Sequence, residues 1–122
     1  MPTPPSPYVY NAEVVSVYDG DTCTVILDLG LNVRVKAKIR LHGIDTPEMR
    51  GGTVSTKKAA VTARDYVRDQ ILGEVVRVHS IKKGKYGRLV SIVWQLDADG
   101  IPVSESINDA LVRLNMAVKK SY

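Results

Sequence analysis

Nine consecutive residues, Val33 to Leu41, alternate without a slip between apolar and basic side chains. Val33, Val35, Ala37, Ile39 and Leu41 share one side, and Arg34, Lys36, Lys38 and Arg40 share the other. A period of two separates these sets onto opposite faces of an extended strand, whereas a helix would scatter both around its circumference. The chain is therefore committed to a β-sheet with one buried face, and it must supply partners for that strand. Upstream, Glu13 to Tyr18 reads as a strand with Val15 and Val17 on one face, and Asp19-Gly20 as a turn. Thr22 to Leu29 alternates again, with Cys23, Val25, Leu27 and Leu29 facing one way, and Gly30-Leu31-Asn32 turns the chain into the basic strand. The three form a meander.

Beyond Gly43-Ile44 the pattern changes. An acidic corner, Asp45-Thr46-Pro47-Glu48, leads into a polar loop through Gly51-Gly52-Thr53. Ser55 is the expected cap of a helix in which Ala60, Ala63, Val67 and Ile71 recur at helical spacing, and Gly73 closes it. Val75 to Ile81 is a fourth strand, Lys82 to Gly87 a basic, Gly-punctuated connection, and Leu89 to Leu96 a fifth strand. After Asp97-Ala98-Asp99-Gly100 turns the chain, Ser104 is the expected cap of a second helix burying Ile107, Ala110, Leu111 and Leu114. Asn115 stands at its left-handed end. Three strands, a helix, two strands and a helix describe a mainly β fold with helices (α+β): the five-stranded OB-fold barrel.

The 122 residues fit one domain, expected over residues 13–122 behind a Pro-rich tail over 1–12. Hydrophobic residues make up 44% and Phe is absent, so the core is built from Val, Ile, Leu and Ala, a bias that favours sheet. The formal charge of +4 is compatible with a polyanionic partner and equally with an ordinary domain. The single Cys23 excludes an internal disulfide and reads as a small core residue. The N-terminus has neither the charged start nor the apolar core of a signal peptide, and no apolar run is long enough to span a bilayer. The sequence thus predicts a cytoplasmic protein without a membrane partner.

Three acids and two arginines stand at predicted strand ends: Asp21, Asp45 and Glu48, with Arg40 and Arg88. Cleaving a phosphodiester requires a positioned water, a base for its proton and fixed positive charge at the phosphoryl oxygens. Asp21 and Asp45 are hard oxygen ligands suited to Ca²⁺ or Mg²⁺, and the Thr46 carbonyl is a natural third ligand in a turn held by Pro47. Two carboxylates alone predict weak binding, with a dissociation constant on the order of 10⁻⁴–10⁻³ M. Glu48, three residues beyond Asp45, is placed to act as general base or water orienter. Arg40 and Arg88 present planar forks that match two phosphate oxygens.

Singly, each motif has a plainer meaning. Asp19-Gly20-Asp21 is usually a hairpin turn, Asp-Thr-Pro-Glu a helix start, Arg40 part of a solvated strand face, and Lys82, Lys83 and Lys85 a wet hairpin tip. Asp97-Ala98-Asp99-Gly100 lacks the Glu of a calcium loop at the twelfth position, where Asn108 stands, and is expected to be a turn. His42 and His79 lack partners at ligand spacing.

Together the motifs are far more specific. Tyr18-Asp19-Gly20-Asp21-Thr22, Ile39-Arg40-Leu41, Ile44-Asp45-Thr46-Pro47-Glu48 and Lys85-Tyr86-Gly87-Arg88 resemble, in order and interval, the staphylococcal nuclease (thermonuclease) family. Asn108 to Arg113 looks like its second helix, so the resemblance runs from about Val14 to about Ala117. It implies an OB barrel and a Ca²⁺-dependent, sugar-nonspecific endonuclease that leaves 3′-phosphate ends on DNA and RNA. It also implies that Asp21, Asp45 and the Thr46 carbonyl are calcium ligands and that Arg40, Glu48 and Arg88 are the catalytic trio. Lys85 and Tyr86 match contacts to a nucleotide phosphate, and Asp19 a secondary acid near the metal. Two departures stand out. The stretch between Glu48 and Ser55-Thr56-Lys57-Lys58 is much shorter than in the secreted type enzyme. The sequence stops at Ser121-Tyr122, so the family's third helix is expected to be missing, with Tyr122 the one candidate for its base-stacking tyrosines. The absence of a secretion signal also departs from the type enzyme and suits a cellular, plasmid-borne or phage-encoded relative. A metal-dependent hydrolase, as a monomer, is the leading expectation, with Mg²⁺ a weaker alternative to Ca²⁺. Its rivals are a catalytically silent OB module that binds nucleic acid or protein, and a structural component of a larger assembly.

Overall fold

The computed structural model describes residues 8–48 and 53–120. The Pro-rich start through Pro7, the loop residues Gly51 and Gly52, and Ser121-Tyr122 lie outside the described residues. Five long strands, β1 (Val9–Asp19), β2 (Thr22–Asp28), β3 (Arg34–Leu41), β5 (Val75–Lys83) and β6 (Leu89–Gln95), close into a barrel in the order β1-β2-β3-β6-β5. All neighbours are antiparallel except β3 and β6, which run parallel with Ile39 opposite Leu89. Two helices, α1 (Val54–Ile71) and α2 (Ile107–Arg113), complete the expected OB architecture.

The core is aliphatic, as the lack of Phe requires. Val14, Val25, Ile39, Val76, Val78 and Val93 line the barrel, joined by Val67 and Ile71 of α1 and Ile107 and Leu111 of α2. Each fully buried Val or Ile of this kind contributes about 1.5–3 kcal/mol.

Several expectations about individual residues are corrected. The first strand begins at Val9 rather than Glu13. Ala12 is buried and pairs with Leu27 on one side and Val76 on the other. Residues 9–12 therefore belong to the barrel and not to the expected tail, because closure demands a strand paired on both edges. Within β1 the inward residues are Val14 and Val17, not Val15 and Val17. The register shifts between Val14 and Ser16; this bulge adds a residue and breaks the period of two. In β3, Ile39 and Leu41 are buried, but Val33 and Val35 on the same face are 48% and 43% exposed. Leu29, expected to face inward on β2, lies past its end and is also exposed. The β2–β3 hairpin runs beyond the reach of the core.

The helices keep their expected faces with shifted starts. Thr53, not Ser55, caps α1. Its side chain accepts from the Thr56 N–H while the Thr56 hydroxyl accepts from the Thr53 N–H, a capping box built from two threonines. Gly73, with φ +79°, ends the helix as expected. The cap of α2 is Ser106, which accepts from the Asp109 N–H, rather than Ser104. Asn115 takes the left-handed conformation with φ 60°, and Leu114 is more exposed than its spacing predicts.

One element has no counterpart in the periodicity. Ile44–Asp45 (β4) pairs antiparallel with Val118–Lys119 (β7), and the Lys120 N–H donates to the Gly43 carbonyl. Strands of two residues are too short for a period to register. They clamp the acidic corner against the end of α2.

Candidate active site

The turn between β1 and β2 carries Asp19, Gly20 and Asp21. It is drawn under α1 by a close approach: a Cβ built on Gly20 would lie 2.9 Å from Ala63 Cβ and 3.1 Å from Thr46 Cγ2. Only a residue without a side chain lets turn, helix and acidic corner meet there. Arg68 of α1 adds a second tie, its Nε and NH2 donating to the Val17 carbonyl over 3.2 and 3.0 Å.

Asp21 is thereby buried at 5% exposure and fully engaged. Its Oδ1 accepts from the Thr22 hydroxyl at 3.0 Å, and its Oδ2 from the Thr46 backbone N–H at 3.0 Å. Arg40, directly opposite Thr22 on β3, extends its guanidinium between the carboxylates. NH1 lies 3.1 Å from Asp21 Oδ2 and NH2 lies 3.0 Å from Asp45 Oδ1. The Arg40 and Asp21 side chains are 13% and 7% exposed, that of Asp45 is 42% exposed. The cluster is thus sealed on the Asp21 side and open on the Asp45 side. An ion pair this deep is costly to break by removing one member, about 3–5 kcal/mol.

Among the described residues the buried Thr46 Oγ1 has no hydrogen-bond partner. Among the described residues no three His, Cys, Asp or Glu side chains gather as metal ligands. Asp21 and Asp45, both hard-oxygen donors, flank the Arg40 guanidinium and are residues that could hold a cation. That donor set fits Ca²⁺ or Mg²⁺ and would hold either weakly. Asp19 ends β1 opposite Thr22 and does not complete a three-carboxylate group.

Arg88 approaches from the next strand. It precedes Leu89, the parallel partner of Ile39, and shares a cleft with Lys38 and Thr22. Lys85, Tyr86 and Gly87 form a single 3₁₀ turn in which Tyr86 is left-handed, with φ 61°. The Arg88 guanidinium lies 5.6 Å from the centre of the Tyr86 ring, within cation–π range. Tyr86 is 90% exposed. Glu48 is exposed, two residues beyond Thr46, and its carboxylate makes no ion pair among the described residues.

The strand ends thus bring Asp21, Arg40, Asp45 and Thr46 into direct contact, residues separated by up to 25 positions. A family model described as staphylococcal nuclease homologue matches residues 38–122. The chain belongs to the staphylococcal nuclease family. No curated protein is significantly similar to it. The family match contains Arg40, Asp45, Thr46, Glu48, Lys85, Tyr86 and Arg88 but begins after Asp21; the barrel brings Asp21 to Arg40 and Thr46. Membership of the staphylococcal nuclease family suggests a nuclease-like function acting on nucleic acid.

Two residues essential to this geometry carry no distinguishing mark in the sequence. Gly20 reads as turn chemistry, yet its role is space. Asn108 reads as an ordinary helix position, yet it is buried and ties three elements together. Its Oδ1 accepts from the Val93 N–H at 3.1 Å, and its Nδ2 donates to the carbonyls of His42 and Ser91 at 2.9 and 3.1 Å. It fixes α2 behind the strand ends that carry Arg40 and the acidic corner.

Proposed function

We propose that the chain is a calcium-dependent nuclease that hydrolyses phosphodiester bonds of DNA and RNA. The observation that carries this reading is the Arg40 guanidinium held between Asp21 and Asp45. It places fixed positive charge beside two hard-oxygen ligands at a half-open strand end. A cation held by Asp21, Asp45 and the Thr46 carbonyl would supply Lewis acidity next to the phosphate. Arg40 is already ordered by its ion pairs, so the entropic cost of fixing it falls on folding and not on substrate binding. Arg40 and Arg88 would offer N–H donors to the non-bridging oxygens, whose charge grows toward the transition state. Glu48, exposed and outside the ion-pair network, would accept the proton of the attacking water. Lys85 and Tyr86, on the exposed 3₁₀ turn, would hold the neighbouring phosphate.

One observation favours a rival, a non-catalytic OB module. Arg40 already pairs with both carboxylates, so the acids have a structural role in an ion network. The two readings separate on incubation with single-stranded DNA or RNA in Ca²⁺, Mg²⁺ or EDTA. The nuclease reading expects calcium-dependent cutting that falls roughly 10²–10³-fold in Arg88→Ala and is lost in Glu48→Ala. Binding without cutting in any metal would establish the module instead.

A further inference from the structure

Outward from Arg40, β3 carries further cations on the same face. Lys38 and Lys36 are both exposed, make no ion pair among the described residues, and follow at two-residue intervals. This places one positive charge every ~6.7 Å along the strand. The face is not a uniform charged surface, however. Lys38 pairs with Thr24, and a cleft of about 380 Å³ runs over this part of the barrel, lined by Tyr18, Thr22, Thr24, Lys38, Tyr86 and Arg88. Two tyrosines stand on its rim, Tyr18 61% and Tyr86 90% exposed. The cationic stretch also has a far end. Arg34 pairs directly with Asp28 and shares a separate hollow with Glu13 and Asp28, so negative charge halts the run after Lys36. Basic side chains at a regular interval, exposed aromatic rings beside them and a floor of small hydroxyl residues are the components of a single-strand track. Cations follow the backbone, and rings receive unstacked bases.

We propose that the outer face of β3 is a track for single-stranded nucleic acid leading away from the Arg40 cluster. Lys38 and Lys36 contact successive phosphates, and Tyr18 stacks a base in the cleft. Phosphates of a stacked B-form strand advance about 3.4 Å apiece along the helix axis and wind around it. A strand whose bases turn onto the protein runs extended instead and can lay successive phosphates along β3. A duplex keeps its bases paired and offers Tyr18 no ring face. The track therefore selects single strands over duplex, and RNA and DNA single strands enter alike.

This inference rests on the nuclease reading for its substrate class, and binding tests it apart from cutting. The affinity of the whole chain for a fluorescent single-stranded 12-mer is measured in EDTA across a salt series. Lys36→Glu/Lys38→Glu should weaken binding and flatten the dependence of log K on log salt by about 1 or more. An equal charge change on α1, Lys57→Glu/Lys58→Glu, should have a clearly smaller effect. Tyr18→Ala should weaken binding about tenfold while Tyr18→Phe, which keeps the ring, binds normally. Thermal melting establishes that each variant folds. Equal effects of the β3 and α1 reversals, normal binding by Tyr18→Ala, or equal affinity for duplex would overturn the track. If β3-dependent binding persists but no strand is cut in calcium, the nuclease reading falls and the track stands. If cutting is intact and binding ignores β3, the reverse holds.

Discussion

Asp19-Gly20-Asp21 and Asp97-Ala98-Asp99-Gly100 are two acidic, glycine-containing turns between paired stretches of one chain, and they do different things. In the second, Asp97 Oδ1 accepts from the N–H groups of Asp99 and Ile101, and all four turn residues are exposed. Its acid stabilises its own backbone, and the turn is complete by itself. In the first, Asp21 is buried, and its Oδ2 is spent on two distant partners, Thr46 and Arg40. The glycines differ as well. Gly100 has φ +76° and open space around it, whereas Gly20 is crowded by Ala63 and Thr46. Local composition makes a turn in both places; what packs on top decides whether it becomes part of a site.

The strongest way to break this comparison is to delete the acid from each turn. Asp21→Ala leaves the Arg40 guanidinium short of one carboxylate and the Thr46 N–H without an acceptor. It should cost about 3–5 kcal/mol of unfolding free energy and abolish any calcium response. Asp97→Ala loses only exposed side chain–backbone bonds and should cost about 1 kcal/mol without touching activity. Denaturant titration of both variants decides, and equal losses would refute the assigned difference.

Next in size is an exchange at the glycines. Gly20→Asn should force α1 and Thr46 apart, cost about 1–3 kcal/mol and lower activity through the displaced corner. Gly100→Asn should be tolerated, because Asn adopts the left-handed conformation with little strain. A tolerated Gly20→Asn would mean that space is not what this position needs.

The smallest effect is alkaline. Cys23 lies two residues beyond Asp21 on β2, and burial pushes its thiol from 9.0 up to about 12. The folded chain thus holds this proton in a range where the unfolded chain releases it. The stability this contributes is complete below pH 9 and is lost as pH rises from 9 toward 12, by about 1.4 kcal/mol per unit. Melting curves at pH 8 and 10 should separate the wild type from Cys23→Ala, which lacks this term; parallel pH profiles would show the thiol to be solvated.

Much of the fold was legible because it repeats. The alternation along β2 and β3 named Cys23, Val25, Leu27, Ile39 and Leu41 as inward residues, and helical spacing named Ala60, Ala63, Val67 and Ile71. Failures cluster where a single residue or bond intervenes. A one-residue bulge reversed the phase of β1, Thr53 outcompeted Ser55 as a cap, and the two-residue pairing of β4 with β7 was too short to show any period. The candidate site divides the same way. Acids and arginines at strand ends were visible as residue types with a known chemistry, whereas Gly20 and Asn108 act through what they touch.

The order of residues alone determined a barrel of alternating strands, an aliphatic core and the stock of carboxylates and guanidinium groups, because period and residue type are local properties. Tertiary structure decided that Arg40 would bridge Asp21 and Asp45, and that Thr46 would keep a buried hydroxyl without a partner among the described residues. Those outcomes depend on distances between segments far apart in the chain, and only the packing of α1 over the strand ends sets them.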